Sequence, residues 1–329
     1  MFGAALAFAA ATATLAGALT YYACTPFGTF TEPVHFDLKA GSSLRAAAKH
    51  LEQVGVLRHA ELFMVIARLL GESGNIKAGN YQLDAPVSPY ELLRKITRGE
   101  VSLSAITFVE GWHFRQMRRV LDAHPEVRHD TLGMSDFEIL QRLSIDAASP
   151  EGLFFPDTYY FGNGTSDLKI LRRAHARMQQ QLAALWEKRA AGLPFATPYE
   201  ALILASIVEK ETGRAEERPL IAAVFVNRLR KGMPLQADPT VIYGLGEAFD
   251  GNLRKRDLTT DTPYNTYTRA GLPPTPIAMP SLASLAAVLD PPPSDMLYFV
   301  SRGDGTSHFS RTLVEHERAV IKYQKSGRR

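Results

Sequence analysis

Leu204-Ala205-Ser206-Ile207-Val208-Glu209-Lys210-Glu211-Thr212-Gly213 sets a carboxylate in line with the buried face of an otherwise apolar helix. Outward from it, Thr197-Pro198-Tyr199-Glu200 is a Thr-x-x-Glu capping box with Pro at the first helical position, and Gly213 offers a left-handed cap. The spacing therefore predicts a helix between Thr197 and Gly213. Ala201, Leu202, Ile203, Leu204, Ala205, Ile207 and Val208 leave it almost no polar face, so it is expected to run through a core. Glu209 shares a stripe with Leu202 and Ala205 at ~3.6 residues per turn, whereas Lys210 and Glu211 point elsewhere.

Two effects are expected to favour a protonated Glu209: partial desolvation, and a place in the last helical turn, where the dipole disfavours negative charge. A general acid needs that state. A plainer reading stands beside it, in which Glu209 is a solvated helix end or pairs with Arg214 or Arg218.

The chain has 329 residues, 46% hydrophobic and 22% charged, which suits a globular protein of two domains. Phe2 to Ala23 carries no charge and is long enough to span a bilayer, for which ~20 residues suffice. A transmembrane anchor is expected over residues 1–24, followed by a Pro/Gly/Thr linker over 25–33. A cleaved signal peptide fits less well, because the apolar run is long and no clear small-x-small site follows. Tyr21-Tyr22-Ala23 before Cys24 is a poor match to a lipoprotein site. No Lys or Arg precedes the segment, so the positive-inside rule does not orient it.

A net charge of +3 without a basic, aromatic-interleaved stripe gives no reason to expect a nucleic-acid partner. The nine His residues form no H-E-x-x-H pair and no Gly-rich loop opens a helix, so no metal and no nucleotide cofactor is expected. His308 and His316 read as satisfied polar groups, and one Cys excludes a disulfide within the chain.

Strands are expected at 34–38 and 79–83. Between them lie a helix carrying Leu44, Ala47, Ala48 and Leu51, and a second with Leu62, Phe63, Ile66 and Leu70 on its face. The Ser88-x-x-Glu91 box then leads into Leu92, Leu93 and Ile96. This unit, residues 34–101, looks like a LysM-type glycan-binding module. Residues 102–329 read as a larger mixed domain: a strand at 103–109, the turn Glu110-Gly111-Trp112, a helical stretch at 113–123 and a less periodic run to Ser149. An aromatic, Pro-interrupted loop at 151–159 follows, of a kind that commonly lines sites; Phe154 and Phe155 are expected to pack on a core, while the nearby Tyr160 is open to either role. Helices at 167–190 and 219–231 come next, the second placing Asn227 on a face with Leu220, Ala223 and Val224, where a buried amide needs partners. Turn-rich loops at 234–240 and 263–267, a hairpin around Gly303-Asp304-Gly305 and a last helix from the Thr312-x-x-Glu315 box complete an α+β chain.

Ala-Ser-Ile-Val-Glu-Lys-Glu at 205–211, Phe-Val-Asn-Arg-Leu at 225–229, Leu-Gln-Ala-Asp-Pro-Thr-Val-Ile-Tyr at 235–243, Tyr-Asn-Thr-Tyr at 264–267 and Gly-Leu-Pro-Pro at 271–274 occur in order. Together they resemble the endolytic murein transglycosylase family, the YceG-like enzymes of bacterial inner membranes. The resemblance implies Glu209 as the single catalytic acid/base, with Gln236, Asp238, Asn265 and Tyr267 as cleft residues. It implies cleavage of the β-1,4 bond from N-acetylmuramic acid to N-acetylglucosamine with a 1,6-anhydro product, ending strand elongation. It also implies peptidoglycan strands as substrate, penicillin-binding synthases as neighbours, and a single-pass inner-membrane protein with its catalytic domain outside. The spacing from Glu209 to Asn227-Arg228 is similar to that of spore-cortex lytic enzymes, which favours Glu209 over Glu211 as the acid. Two alternatives stay open: a muramidase using Glu209 with Asp238 or Asp157, since hydrolysis normally needs two carboxyl groups, and a non-catalytic peptidoglycan-binding scaffold.

Overall fold

The computed structural model describes residues 2–28, 33–100 and 103–325. It divides into two compact units, Met1–Ser104 with Tyr160–Gly164, and Ala105–Tyr159 with Thr165–Arg329. The division falls three residues beyond the expected boundary and returns a short segment, Tyr160–Gly164, to the first unit. Four residues of the linker, 29–32, and the two residues at the expected domain boundary, 101 and 102, lie outside the described residues.

In the first unit, α1 (Phe2–Cys24) is apolar throughout, with Ala5–Cys24 long and apolar enough to cross a membrane and none of it buried. After it come β1 (Val34–Leu38), α2 (Leu44–Gln53), α3 (Ala60–Leu69), β2 (Gly79–Leu83) and α4 (Pro89–Arg98). β1 and β2 are antiparallel, with Val34 opposite Leu83 and Leu38 opposite Gly79. Ser43 caps α2 by accepting from the Ala46 amide, and the Ser88–Glu91 box forms reciprocally at the start of α4. Phe36, Leu51, Phe63, Tyr81, Leu92 and Ile96 build the core, the Phe36 and Tyr81 rings stacking at 5.4 Å. Fully burying each such side chain is worth ~1.5–3 kcal/mol.

One face is rotated from expectation. α3 buries Phe63, Met64, Ile66 and Ala67 and leaves Leu62 and Leu70 exposed. His59, left-handed with φ 59°, begins the helix at an angle that periodicity does not encode.

The second unit continues with β3 (Leu103–Thr107), α5 (Phe114–Ala123), β4 (Val127–Arg128), α6 (Asp136–Leu143), β5 (Thr158–Gly162), β6 (Thr165–Ser166) and α7 (Asp167–Glu187). Then follow α8 (Pro198–Glu211), α9 (Arg218–Arg230), α10 (Asp238–Leu245), α11 (Lys255–Thr259), α12 (Leu282–Leu289), β7 (Tyr298–Ser301), β8 (Ser307–Ser310) and α13 (Leu313–Val320). β3 pairs with β5, β4 with β6 in parallel, and β7 with β8 as the expected hairpin. β3 and β5 are each divided between the units.

α8 buries every residue from Ala201 to Val208 and packs against α9 and α12, with α7 alongside. Thr197 caps it by accepting from the Glu200 amide, but Glu200 reaches the Ala196 amide and not Thr197, so only half of the expected box closes. Its other end also differs: the helix stops at Glu211, Thr212 is extended, and Gly213 has no left-handed φ. Phe154 and Phe155 are buried as expected, whereas Tyr160 is 58% exposed because alternate residues of β5 face opposite ways. Asn227 finds its partners in the Ser294 and Met296 carbonyls, at 2.8 and 3.1 Å. The run to Ser149 holds α6, begun by a Ser135–Glu138 box, and the expected loop at 234–240 passes into α10 at Asp238.

Candidate active site

Glu209 lies near the end of α8 with its side chain 7% exposed. Its Oε2 accepts three hydrogen bonds: from the Ser281 amide at 2.9 Å, the Ser281 hydroxyl at 2.5 Å and the Ser284 hydroxyl at 2.6 Å. Ser281 is also the N-cap of α12, accepting from the Ser284 amide. The carboxylate therefore faces the positive end of a second helix, as anions do at helix N-termini. Oε1 accepts no hydrogen bond from the described residues and stands 3.8 Å from an Arg218 guanidinium nitrogen.

Burial holds, but the α12 N-terminus and Arg218 supply positive potential that the α8 sequence does not contain. Of the two arginines considered as partners, Arg218 is the one in place, while Arg214 donates to the Asp304 carbonyl. With Oε2 occupied by three donors, Oε1 is the carboxyl oxygen left on the Arg218 side.

The turn at Glu110-Gly111-Trp112 closes the same site. A Cβ on Gly111 would meet the Glu209 side chain at 3.8 Å, and Lys210 donates to the Gly111 carbonyl at 3.2 Å. Desolvation first, and then the negative charge of Glu209, raise the Glu110 carboxyl, with Arg218 opposing. His113, on the same segment, is pushed towards its neutral form by burial and by the Lys210 charge.

The opposite side of α8 carries a cavity of about 450 Å³. Gln236, Asp238 and Tyr267 line it together, with Glu211, Arg228 and His316. Glu209 is absent from that lining. Burial, then the negative charge of Asp238, lift the Glu211 carboxyl to about 8, against a weaker pull from Arg228. Tyr267 donates to Asp238 at 2.5 Å, and burial together with that bond raises its phenol. Arg228 donates to the Leu297, Pro234 and Leu235 carbonyls and to the Gln236 side chain, which pins the loop into α10. Gln236 is held at φ 51°, a conformation that costs a non-glycine residue energy and is kept where the surroundings enforce it.

Asn265 has a different place. It is buried, its amide donates to the Asp257, Leu258 and Thr260 carbonyls, and its oxygen accepts from the Tyr267 amide. With all its polar valence spent on backbone, it shapes the loop that presents Tyr267. Asp157 lines a separate shallow cavity with Arg173 and Arg177, away from the groups that touch Glu209. His316 stacks on Tyr298 at 5.2 Å, and His308 lies beside Tyr323.

Sequence reasoning missed Glu110, Ser281 and Ser284 as neighbours of Glu209. A signal for the serines was present, since Ser281 precedes the apolar run Leu282–Leu289 in the manner of an N-cap. The YceG-like family matches residues 36–322, nearly the whole chain beyond α1. This chain belongs to the YceG-like family. Its similarity to the Bacillus subtilis protein named endolytic murein transglycosylase is 31% identity over 88% of this chain and 84% of that one. A Streptococcus pneumoniae protein of the same name is 28% identical over 87% of this chain and 57% of its own length. Among solved structures, a yceG-like protein from Listeria monocytogenes matches with a TM-score of 0.54 and 30% identity, covering 88% of this chain and 99% of that one. The YceG-like match includes both the Glu209 segment and the loops around Glu211.

Proposed function

We propose that this chain is an enzyme, a membrane-anchored lytic transglycosylase that cuts peptidoglycan glycan strands internally. The carrying observation is Glu209: one carboxyl group, tied down through Oε2 and left with Oε1 for proton transfer. The names of the relatives support murein as the substrate.

In this reading Glu209 Oε1 protonates the leaving oxygen of the bond from N-acetylmuramic acid to N-acetylglucosamine as the C1–O bond breaks. The same oxygen, now a base, takes the proton of the muramyl C6 hydroxyl while O6 bonds to C1 and closes a 1,6-anhydro ring. One proton leaves Glu209 and one returns, and no water is consumed. The attacking hydroxyl belongs to the substrate, so proximity replaces a protein nucleophile. Arg218 offsets the negative charge that Glu209 carries between the two transfers. Gln236, Asp238 and Tyr267 offer amide, carboxylate and phenol groups to sugar hydroxyls and ring faces, with Asn265 supporting their loop.

We read α1 as the anchor, placing the reaction at the outer face of the cytoplasmic membrane, where cutting nascent strands ends their elongation beside penicillin-binding synthases. The β1–α2–α3–β2 order, with its antiparallel strand pair, supports a LysM-like role for that part of the first unit.

The test is mass spectrometry of purified glycan strands digested by the full chain in detergent and by Glu209→Gln. Internal fragments ending in 1,6-anhydromuramic acid, absent with the variant, are expected. Reducing ends would instead favour hydrolysis, with Glu110 as the second carboxylate. Strands left uncut by the folded wild-type chain would favour the scaffold.

A further inference from the structure

We propose that the first unit binds an anionic phospholipid of the membrane that α1 spans; the site rests on the anchor reading of α1 given above. Leu19 and Ala23, in the last turns of α1, form a shallow apolar cavity of about 250 Å³ with Ile66 and Leu69 of α3. Leu70 and Tyr90 line this cavity and also a second one of about 530 Å³, so the two adjoin. The second cavity carries Lys77, Arg94 and Arg98.

Arg94 and Arg98 stand one turn apart on α4, and the Arg94 guanidinium lies 5.9 Å from the Tyr90 ring centre. Among the described residues no ion pair engages Lys77, Arg94 or Arg98. The carboxylate in the lining is Glu72, which already accepts from Asn75 at 2.7 Å, and Glu91 lies near enough to Arg94 to feel its charge. Two guanidinium forks and an ammonium around one cavity match the geometry and charge of a phosphate group.

The neighbouring surface identifies the source of that phosphate. Leu62, Val65 and Leu69 form an exposed stripe along α3, Leu69 being 71% exposed, which is unusual for a helix face in water. An apolar helix face beside a basic cluster is the pattern of a segment lying in a membrane interface. The end of α1 brings that interface to the first unit, because Leu19, Tyr22 and Ala23 pack on its core and the Tyr22 hydroxyl donates to the Arg58 and His59 carbonyls. A phospholipid fills both cavities at once, acyl chain against α1 and α3, phosphate against Lys77, Arg94 and Arg98. A free anion would use only the second.

The full chain in detergent, examined by native mass spectrometry with phosphatidylglycerol, phosphatidylcholine and inorganic phosphate in separate titrations, tests this. Alkaline extraction from vesicles, run in parallel, tests the anchor alone. Phosphatidylglycerol adducts are expected on the wild type, weakened roughly fivefold for each charge removed in Lys77→Gln, Arg94→Gln and Arg98→Gln, and weakened also by Leu69→Ser. All of these side chains are exposed, so folding should be retained, as circular dichroism would verify. Equal binding of phosphatidylcholine, equal binding of free phosphate, or unchanged adducts on the triple variant would overturn the site while leaving the anchor standing. Release of the wild-type chain from vesicles by alkali would overturn the anchor and the site with it.

Discussion

Replacing Glu211 with Gln should make the second unit more stable in alkali. Glu211 ends α8 on the cavity side, where burial and Asp238 lift its carboxyl from 4.5 to about 8. In an unfolded chain the group ionises at its ordinary value, so between 4.5 and about 8 the folded state keeps a proton that the unfolded state has released. Stability then falls as pH rises; this contribution is fully present below 4.5 and lost above about 8. At ~1.36 kcal/mol per unit the ceiling is roughly 5 kcal/mol. The cavity lets water reach the carboxyl, and the expected effect is about 2 kcal/mol. For a unit of this size that corresponds to roughly 4–8 °C in Tm. Both tryptophans, Trp112 and Trp186, belong to the second unit, so intrinsic fluorescence follows its melting. Wild type and Glu211→Gln should melt together near pH 4.5 and separate as pH rises, the variant melting higher. Parallel pH profiles, or a wild type that melts higher above pH 8, would refute the reasoning and point to an ionised Glu211 stabilised by Arg228.

Ser284→Ala and Ser281→Ala each remove a donor from Glu209 Oε2. A hydrogen bond to a charged group is worth ~1.5–3 kcal/mol, so kcat for glycan cleavage should fall roughly tenfold to a hundredfold with KM little changed; an unchanged kcat would show that the serines do not position the carboxyl. Burial lifts the Glu151 carboxyl to about 7 against the Phe114 amide and the Tyr243 hydroxyl, so Glu151→Gln should flatten the pH dependence of melting between 4.5 and about 7, checked by the same fluorescence scan. Gly152→Ala should be strongly destabilising, because Gly152 has φ 76° and a Cβ there would collide with the Pro276 ring; a melting temperature equal to wild type would contradict that geometry. Leu204→Ala, in the buried middle of α8, should cost ~2–5 kcal/mol in urea unfolding.

The amino-acid sequence by itself determined what depends on neighbours within a few residues. The caps at Ser43, Ser88, Thr197 and Thr312, the apolar runs of α1 and α8 and the hairpin of β7 and β8 follow from local hydrogen bonding and periodicity. In-order motifs also sufficed to place the chain in its family. Tertiary structure decided what depends on residues far apart. Ser281 and Ser284 meet Glu209 only because α12 packs on α8, and Glu110 arrives on a separate turn; no spacing rule relates residue 110 or 281 to residue 209. Asn265 has the chemistry of a ligand-binding amide, but its hydrogen bonds end on the backbone of α11, Thr260 and Tyr267, which packing alone decides. The Gln236, Asp238 and Tyr267 groups converge on Glu211 because Glu209 and Glu211, two residues apart on one helix, point to different sides of it. Helical periodicity separates the two carboxylates, but only packing decides what each one faces.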